Sequence, residues 1–184
     1  MKRMPMLWTV LLTFTILLGQ TGFALPTAQA NADPVPPEAS GWVLISTAEQ
    51  LAYIDQNQGD YVDRNIRLTN DIDLTGHTWI PFGNEPQPFS GIFDGRGHKV
   101  SGIVIDDDTS ESVGFFGHVK KIDEMHPGVV RNLGVSVKVT GGSSTGGLVG
   151  VLDGGSIDRS YSEGTVAGGR AHKSLNTSIA GGLV

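Results

Sequence analysis

The residues with the most chemical potential form the stretch Phe93-Asp94-Gly95-Arg96-Gly97-His98, which places a carboxylate, two glycines and an imidazole together. Clustered carboxylates are the groups that sugar-cleaving enzymes use. A glycosidase needs two carboxyl groups flanking one bond, about 5–10 Å apart. Asp94 together with Asp71 or Asp73 could supply such a pair if neighbouring strands brought them face to face. The competing expectation, which we adopt, is that Asp94 bonds its own backbone beside a flexible glycine. The same turn is needed with or without catalysis.

Other candidates are weaker. Asp106, Asp107, Asp108 and Glu111 offer oxygens of the type a hard cation requires. Their spacing is neither that of an EF-hand nor that of a glycine-rich calcium nonapeptide, so a solvated acidic turn is expected. Asn70, Asp71 and Asp73 read as the polar face of a strand. The five histidines, His77, His98, His118, His126 and His172, are scattered, and no His-Glu-x-x-His run exists. Ser143, Ser144 and Ser160 lack the Gly-x-Ser-x-Gly elbow. Gly141 to Gly147 is glycine-rich but has no lysine and no following helix to cradle phosphate. Trp79, Phe82 and Phe89 could stack on sugars if exposed; we expect them to pack under the proline-rich loop that separates them. We therefore assign no catalytic, cofactor-binding or metal-binding residue and expect no cofactor.

These residues must be positioned by a chain of 184 residues with a formal charge of −6, 26 glycines and no cysteine. The acidity argues against a nucleic-acid backbone binder. The lack of cysteine excludes a disulfide framework and a thiolate metal site. Residues 1–30 have the three parts of a secretory signal: Lys2 and Arg3, a mostly apolar stretch from Leu7 to Leu18, and small residues at Ala28 and Ala30. The apolar stretch is too short to span a bilayer as a helix. Its removal would take the charge to −8. Residues 31–40 carry Pro34, Pro36 and Pro37 and read as a stiff linker. The expectation is an exported protein, secreted or on the cell surface, with no membrane insertion once the signal is cleaved.

Residues 41–184 then form the folded part. A capping box of Ser46 with Glu49, or Thr47 with Gln50, opens a helix from about Thr47 to about Asn57, with Leu51 and Ile54 on one face and Gly59 as C-cap. Beyond it the period changes. Ile66, Leu68, Ile72 and Leu74 alternate with polar residues, as do Leu133, Val135, Val137 and Val139, which is the period of half-buried strands.

One phrase recurs: "GIFDG" from Gly91, "GFFG" from Gly114, "GLVG" from Gly147 and "GLV" from Gly182. The spacings are 23, 33 and 35 residues. "VSGIVI" from Val100, "VRNLGV" from Val130 and "IDRSYS" from Ile157 keep step, and Lys138–Gly142 matches Thr165–Gly169. A unit of this length signals stacked repeats. A two-residue apolar strand such as Leu148-Val149 is unstable alone but buries its side chains when stacked on its equivalent. Flanking glycines would supply φ > 0 at the corners, and the stretch from Arg170 to Ala180 would leave the stack as a loop. The fold expected is all-β: a short β-solenoid with one N-terminal helix capping its open edge, in a repeat array cut short at Val184.

"STAEQLAYI", "NDIDLTGHTWIPFG", "FSGIFDGRGHKVSGIVI", "VGFFG" and "GGLVG" with "GSIDRSYSEGTVAGG" together resemble the GLUG-repeat proteins of bacteria. The resemblance runs from Gly41 to Val184. It implies a right-handed β-helix-like stack, a surface location and a larger parent protein, since such repeats also form the non-catalytic front part of immunoglobulin-A-cleaving metallopeptidases. It carries over no catalytic residue. The function expected is a non-catalytic module for display, adhesion or contact with glycan or host protein, joined to further domains of the same parent chain. The alternative is an ancillary region of a secreted hydrolase.

Overall fold

The computed structural model describes residues 33–168 and 179–181. The expected signal segment, His172 and the final "GLV" phrase lie outside the described residues. Within them the chain is mostly strands with a single α-helix. Strands β1 (Glu38–Ala39) and β2 (Trp42–Ile45) form a short antiparallel pair joined through Ser40 and Gly41, both at positive φ, as a tight hairpin turn requires. Glu38 and Ala39 thus pair as a strand within the segment expected to be linker.

Helix α1 (Ala48–Gln56) follows. Of the two capping boxes the sequence allowed, the chain uses Thr47, whose hydroxyl accepts from the Gln50 N–H at 3.3 Å. The Gln50 side chain reaches one residue further back and accepts from the Ser46 N–H at 2.8 Å. Leu51 and Ile54 share the buried face, as expected. The C-cap is Asn57 rather than Gly59. Its amide Nδ2 donates to the Tyr53 carbonyl at 2.8 Å, and Gly59 falls in a short 3-10 turn, Gln58–Asp60.

The remaining strands are β3 (Ile66–Leu68), β4 (Ile72–Asp73), β5 (Ile92–Asp94), β6 (Lys99–Asp107), β7 (Ser112–Val113) and β8 (Phe116–Lys120), then β9 (Val129–Arg131), β10 (Gly134–Gly141), β11 (Ser144–Gly146), β12 (Val149–Asp153), β13 (Ser156–Asp158), β14 (Tyr161–Gly168) and β15 (Ile179–Gly181). They pair in parallel, each with its counterpart from another pass of the chain. The first ladder runs β2-β3-β5-β9-β13, the second β4-β6-β10-β14, the third β7-β11-β15 and the fourth β8-β12.

Parallel pairing in register stacks like on like. Val43, Ile66, Phe93 and Val130 align in the first ladder and are at most 1% exposed. Ile72, Val100 and Val135 align in the second. These columns meet in one core whose largest members are Phe82, Phe89, Phe93, Phe115 and Phe116. Trp79 stacks flat on Phe115 at 4.4 Å and donates its indole N–H to the Phe115 carbonyl at 2.9 Å. Trp79, Phe82 and Phe89 are therefore core residues under the loop, as expected, and no sugar-stacking surface is formed by them.

Two details of the expected repeat are corrected. "GFFG" stacks on "GLVG" with the expected offset of 33, as in Phe116 against Val149. "GIFDG", however, belongs to the first ladder, where Phe93 lies between Ile66 and Val130. The neighbour of "GFFG" on the preceding pass is Phe82, bridged to Phe116. Likewise Val100 pairs with Val135 rather than with the "VRNLGV" start, whereas Val130 does pair with Ile157. The physical cause is unequal loop length: apolar phrases of two residues look alike in any ladder.

The second correction concerns the phrase glycines. Gly114, Gly117 and Gly150 do not have positive φ. They are glycine because neighbouring passes approach too closely for a side chain: a Cβ on Gly117 would lie 2.1 Å from Asn84 Oδ1 and 2.7 Å from the Gly83 carbonyl.

Asp55 ties the helix to the loop that carries Phe82. It is 3% exposed. Its Oδ2 accepts from the Ile80 N–H at 3.0 Å and its Oδ1 from Gln58 Nε2 at 2.9 Å. Gln58 in turn accepts from the Gly83 N–H at 2.9 Å. Burial outweighs these two bonds and pushes the Asp55 carboxyl up to about 7.

Candidate functional site

The corner between the first and second ladders gathers the polar chemistry of the chain. Strands β5, β9 and β13 end in register at Asp94, Arg131 and Asp158. Immediately beyond them Arg96, Asn132 and Arg159 adopt left-handed backbone, at φ 54, 53 and 44. Each such non-glycine residue costs about 1–3 kcal/mol and persists only where its surroundings fix it. Here they do: Gly97 N–H donates to the Asn132 carbonyl at 2.7 Å, and Asn132 N–H to the Asp158 carbonyl at 3.0 Å.

Asp94 is the hub. It is 6% exposed, and its Oδ1 accepts from the Arg96 N–H and from Asn132 Nδ2, both at 3.0 Å. Its Oδ2 accepts from Arg131 Nη2 at 3.0 Å. Burial pushes the carboxyl up, but the bonds from Asn132, Arg96 and Arg131 outweigh it and hold Asp94 below its ordinary value. The column continues outward: Arg159 Nε donates to Asn132 Oδ1 at 2.9 Å, and Arg159 Nη1 pairs with Asp158 at 2.8 Å. Arg131 Nε is buried without a partner. The Arg96 guanidinium has no hydrogen bond or ion pair among the described residues. Asp94, Arg96, Gly97, Asn132 and Arg159 line an open cleft of about 500 Å³ at this corner.

The three carboxylates weighed as a glycosidase pair each hold partners of their own. Asp94 is spent on the Arg131–Asn132 cradle. Asp71 accepts from the Lys99 N–H at 3.0 Å and lies 3.1 Å from His98 Nδ1. Asp73 accepts from the Thr75 N–H at 2.9 Å and its hydroxyl at 2.6 Å. Hydrogen bonds lower the carboxyl pKa of both Asp71 and Asp73. A general acid needs the opposite shift. Asp94 serves as the turn residue that was expected, although its partners extend to the next pass.

The acidic turn is self-contained. Asp107 Oδ1 accepts from Thr109 and Ser110 N–H at 3.1 and 3.0 Å, and Oδ2 from the Ser110 hydroxyl at 2.5 Å. Burial pushes this carboxyl up, but the Ser110 and Thr109 bonds prevail and bring it down to about 2. Among the described residues no group of three histidine or acidic side chains is placed to hold a metal ion. His98, His118 and His126 lie apart, each against one carboxylate: Asp71, Glu85 and Asp123. Ser144 lies in β11, and the Ser160 hydroxyl accepts from the Leu133 N–H at 3.2 Å, a backbone role.

Sequence reasoning missed Arg96, Asn132 and Arg159. The signal was available, because Asn132 and Arg159 occupy one position in "VRNLGV" and "IDRSYS".

No family model matches the chain, and no solved structure matches it. It is similar to a Gly-rich membrane protein of Evansella cellulosilytica, 30% identical over 129 residues, which covers 62% of this chain and 14% of that protein. It is also similar to halomucin of Haloquadratum walsbyi, 31% identical over 137 residues, covering 67% of this chain and 1% of halomucin. The chain therefore spans a small part of the length of both relatives. Among the described residues no helix is long and apolar enough to cross a membrane.

Proposed function

We propose that the chain is a non-catalytic, exported repeat module that displays or spaces other domains of a larger bacterial surface protein and contacts glycan or protein. Its architecture in this reading is a short β-solenoid of the GLUG type, right-handed by the chirality of parallel crossovers. The observation that carries the proposal is the parallel register itself. Lys138 to Gly141 pair residue for residue with Thr165 to Gly168, the repeat read from the sequence. In such a stack each pass is supported by its neighbours and further passes lengthen it, which suits spacing and display. The carboxylates that could have formed an acid–base pair are engaged within the turns that shape the corners. Similarity to a protein named for a membrane, of which this chain matches 14%, supports a module within a longer surface chain.

The test is the open reading frame beyond Val184. Further repeats followed by wall-binding or immunoglobulin-like modules are expected. A peptidase or glycosidase domain with a complete catalytic set would overturn the proposal and make the chain an enzyme's ancillary arm.

A further inference from the structure

We propose that the corner cleft binds the carboxylate groups of a uronic-acid-containing polysaccharide, with Arg96 and Arg159 holding the anion. This rests on the reading of the chain as an exported glycan-contacting module and names the site and the ligand.

Charge is the first argument. The chain is acidic overall, yet three guanidinium groups, Arg96, Arg131 and Arg159, meet only two carboxylates here, Asp94 and Asp158. These five groups sum to +1, with Asp71 the next carboxylate along, against His98, and Arg131 Nε is buried without an acceptor. Availability is the second. Lys99, Lys120 and Lys121 are neutralised by Glu163, Asp153 and Glu124, whereas the Arg96 side chain lines the cleft with no partner. Arg159 is 68% exposed and uses Nε and Nη1, which leaves Nη2 directed by neither pairing. A planar guanidinium fork matches a carboxylate bidentately.

Preorganisation is the third. The Arg96 backbone is pinned in its left-handed conformation by the buried Asp94, and the Arg159 side chain is held by Asn132, so on binding the ordering falls mainly on the Arg96 side chain. The lining favours a sugar over a peptide. Among the described residues no large apolar side chain lines the cleft, so an amphipathic segment finds no anchor there. The backbone at Gly97 has nothing within 4 Å of where a Cβ would stand, which leaves open space for a hydroxylated ring.

The whole chain is tested by affinity electrophoresis against polygalacturonate, with dextran as the neutral control and poly-L-glutamate as the acidic peptide control. Retention by polygalacturonate and not by dextran is expected, weakening as salt is raised. Arg96→Ala should weaken it by about tenfold or more, the loss of one charge-assisted contact. Its melting temperature should be unchanged, because the side chain makes no internal bond. Arg96→Lys should restore part of the binding. Equal retention by dextran, binding unaffected by Arg96→Ala and Arg159→Gln, a preference for poly-L-glutamate, or no retention by any polymer would each overturn the site. Those outcomes leave the module reading to the open reading frame, which tests it separately.

Discussion

Asp55→Asn separates the cost of burying a carboxylate from the benefit of its two bonds. The carboxyl rises from 3.8 to about 7 on folding. That is about three pH units at 1.36 kcal/mol each, or about 4 kcal/mol as an upper figure. The sign follows from proton binding. Between pH 4 and 7 the folded chain holds the Asp55 proton and the unfolded chain releases it. This contribution therefore raises stability as pH falls from about 7 to about 4, and it disappears in Asp55→Asn. The amide retains an acceptor for the Ile80 N–H but turns a donor toward Gln58. Relative to the ionised carboxylate that mismatch costs about 1 kcal/mol; the protonated carboxyl shares it, so the slope stays diagnostic. Urea unfolding followed by the fluorescence of the buried Trp79, at several pH values from 4 to 8, gives both profiles. The wild-type minus variant difference should grow by several kcal/mol toward acid pH. Parallel profiles would refute the claim that burial governs this group.

Five further outcomes follow from the packing, the corner and the acidic turn. Phe116→Ala, which removes a ring that touches Phe82, Phe89, Phe93 and Phe115, should cost about 3–5 kcal/mol in chemical denaturation. Gly117→Ala must displace Asn84 or the Gly83 backbone and should cost about 1–3 kcal/mol; Gly97→Ala meets no neighbour but carries φ +86 and should cost about 1–2 kcal/mol. Asp94→Ala strands the donors of Arg131 and Asn132 and should destabilise by about 2 kcal/mol or more in thermal melts. Asp107 contributes stability that is present above pH 4 and lost as pH falls through about 2; acid titration of Asp107→Asn should lack that step.

The helix and the strand regions were legible because their signals are local. Thr47 with Gln50, the Leu51–Ile54 face and the alternation of Leu133 to Val139 each act within a few residues. The match of Lys138–Gly142 to Thr165–Gly169 was legible because long strands of one pattern fix one register. The placement of "GIFDG" was not, since a two-residue apolar strand carries too little information to choose among ladders. Asp55 was invisible because it stands in the polar run Asp55 to Asp60, and only the Phe82 loop folding over α1 buries it. Arg96 and Arg159 carried no local signal, and only parallel pairing stacks their turns. The phrase glycines were noticed for the wrong property: their role is set by the distance between passes, which no single segment encodes.

Strands and corners divide the chain into segments that accept insertions and segments that do not. From Asp94 to Arg131 the chain travels 37 residues between paired positions, and from Arg131 to Asp158 only 27. Most of the difference lies in one place: nine positions separate Lys120 from Val129, against three between their partners Asp153 and Ser156. The flanking strands keep their register across it. A single residue added inside β10 would instead turn its buried valines outward. The segment from Lys121 to Gly128 is therefore the natural point at which to graft an epitope or a second binding loop, because the scaffold already absorbs length there without altering a single strand pairing.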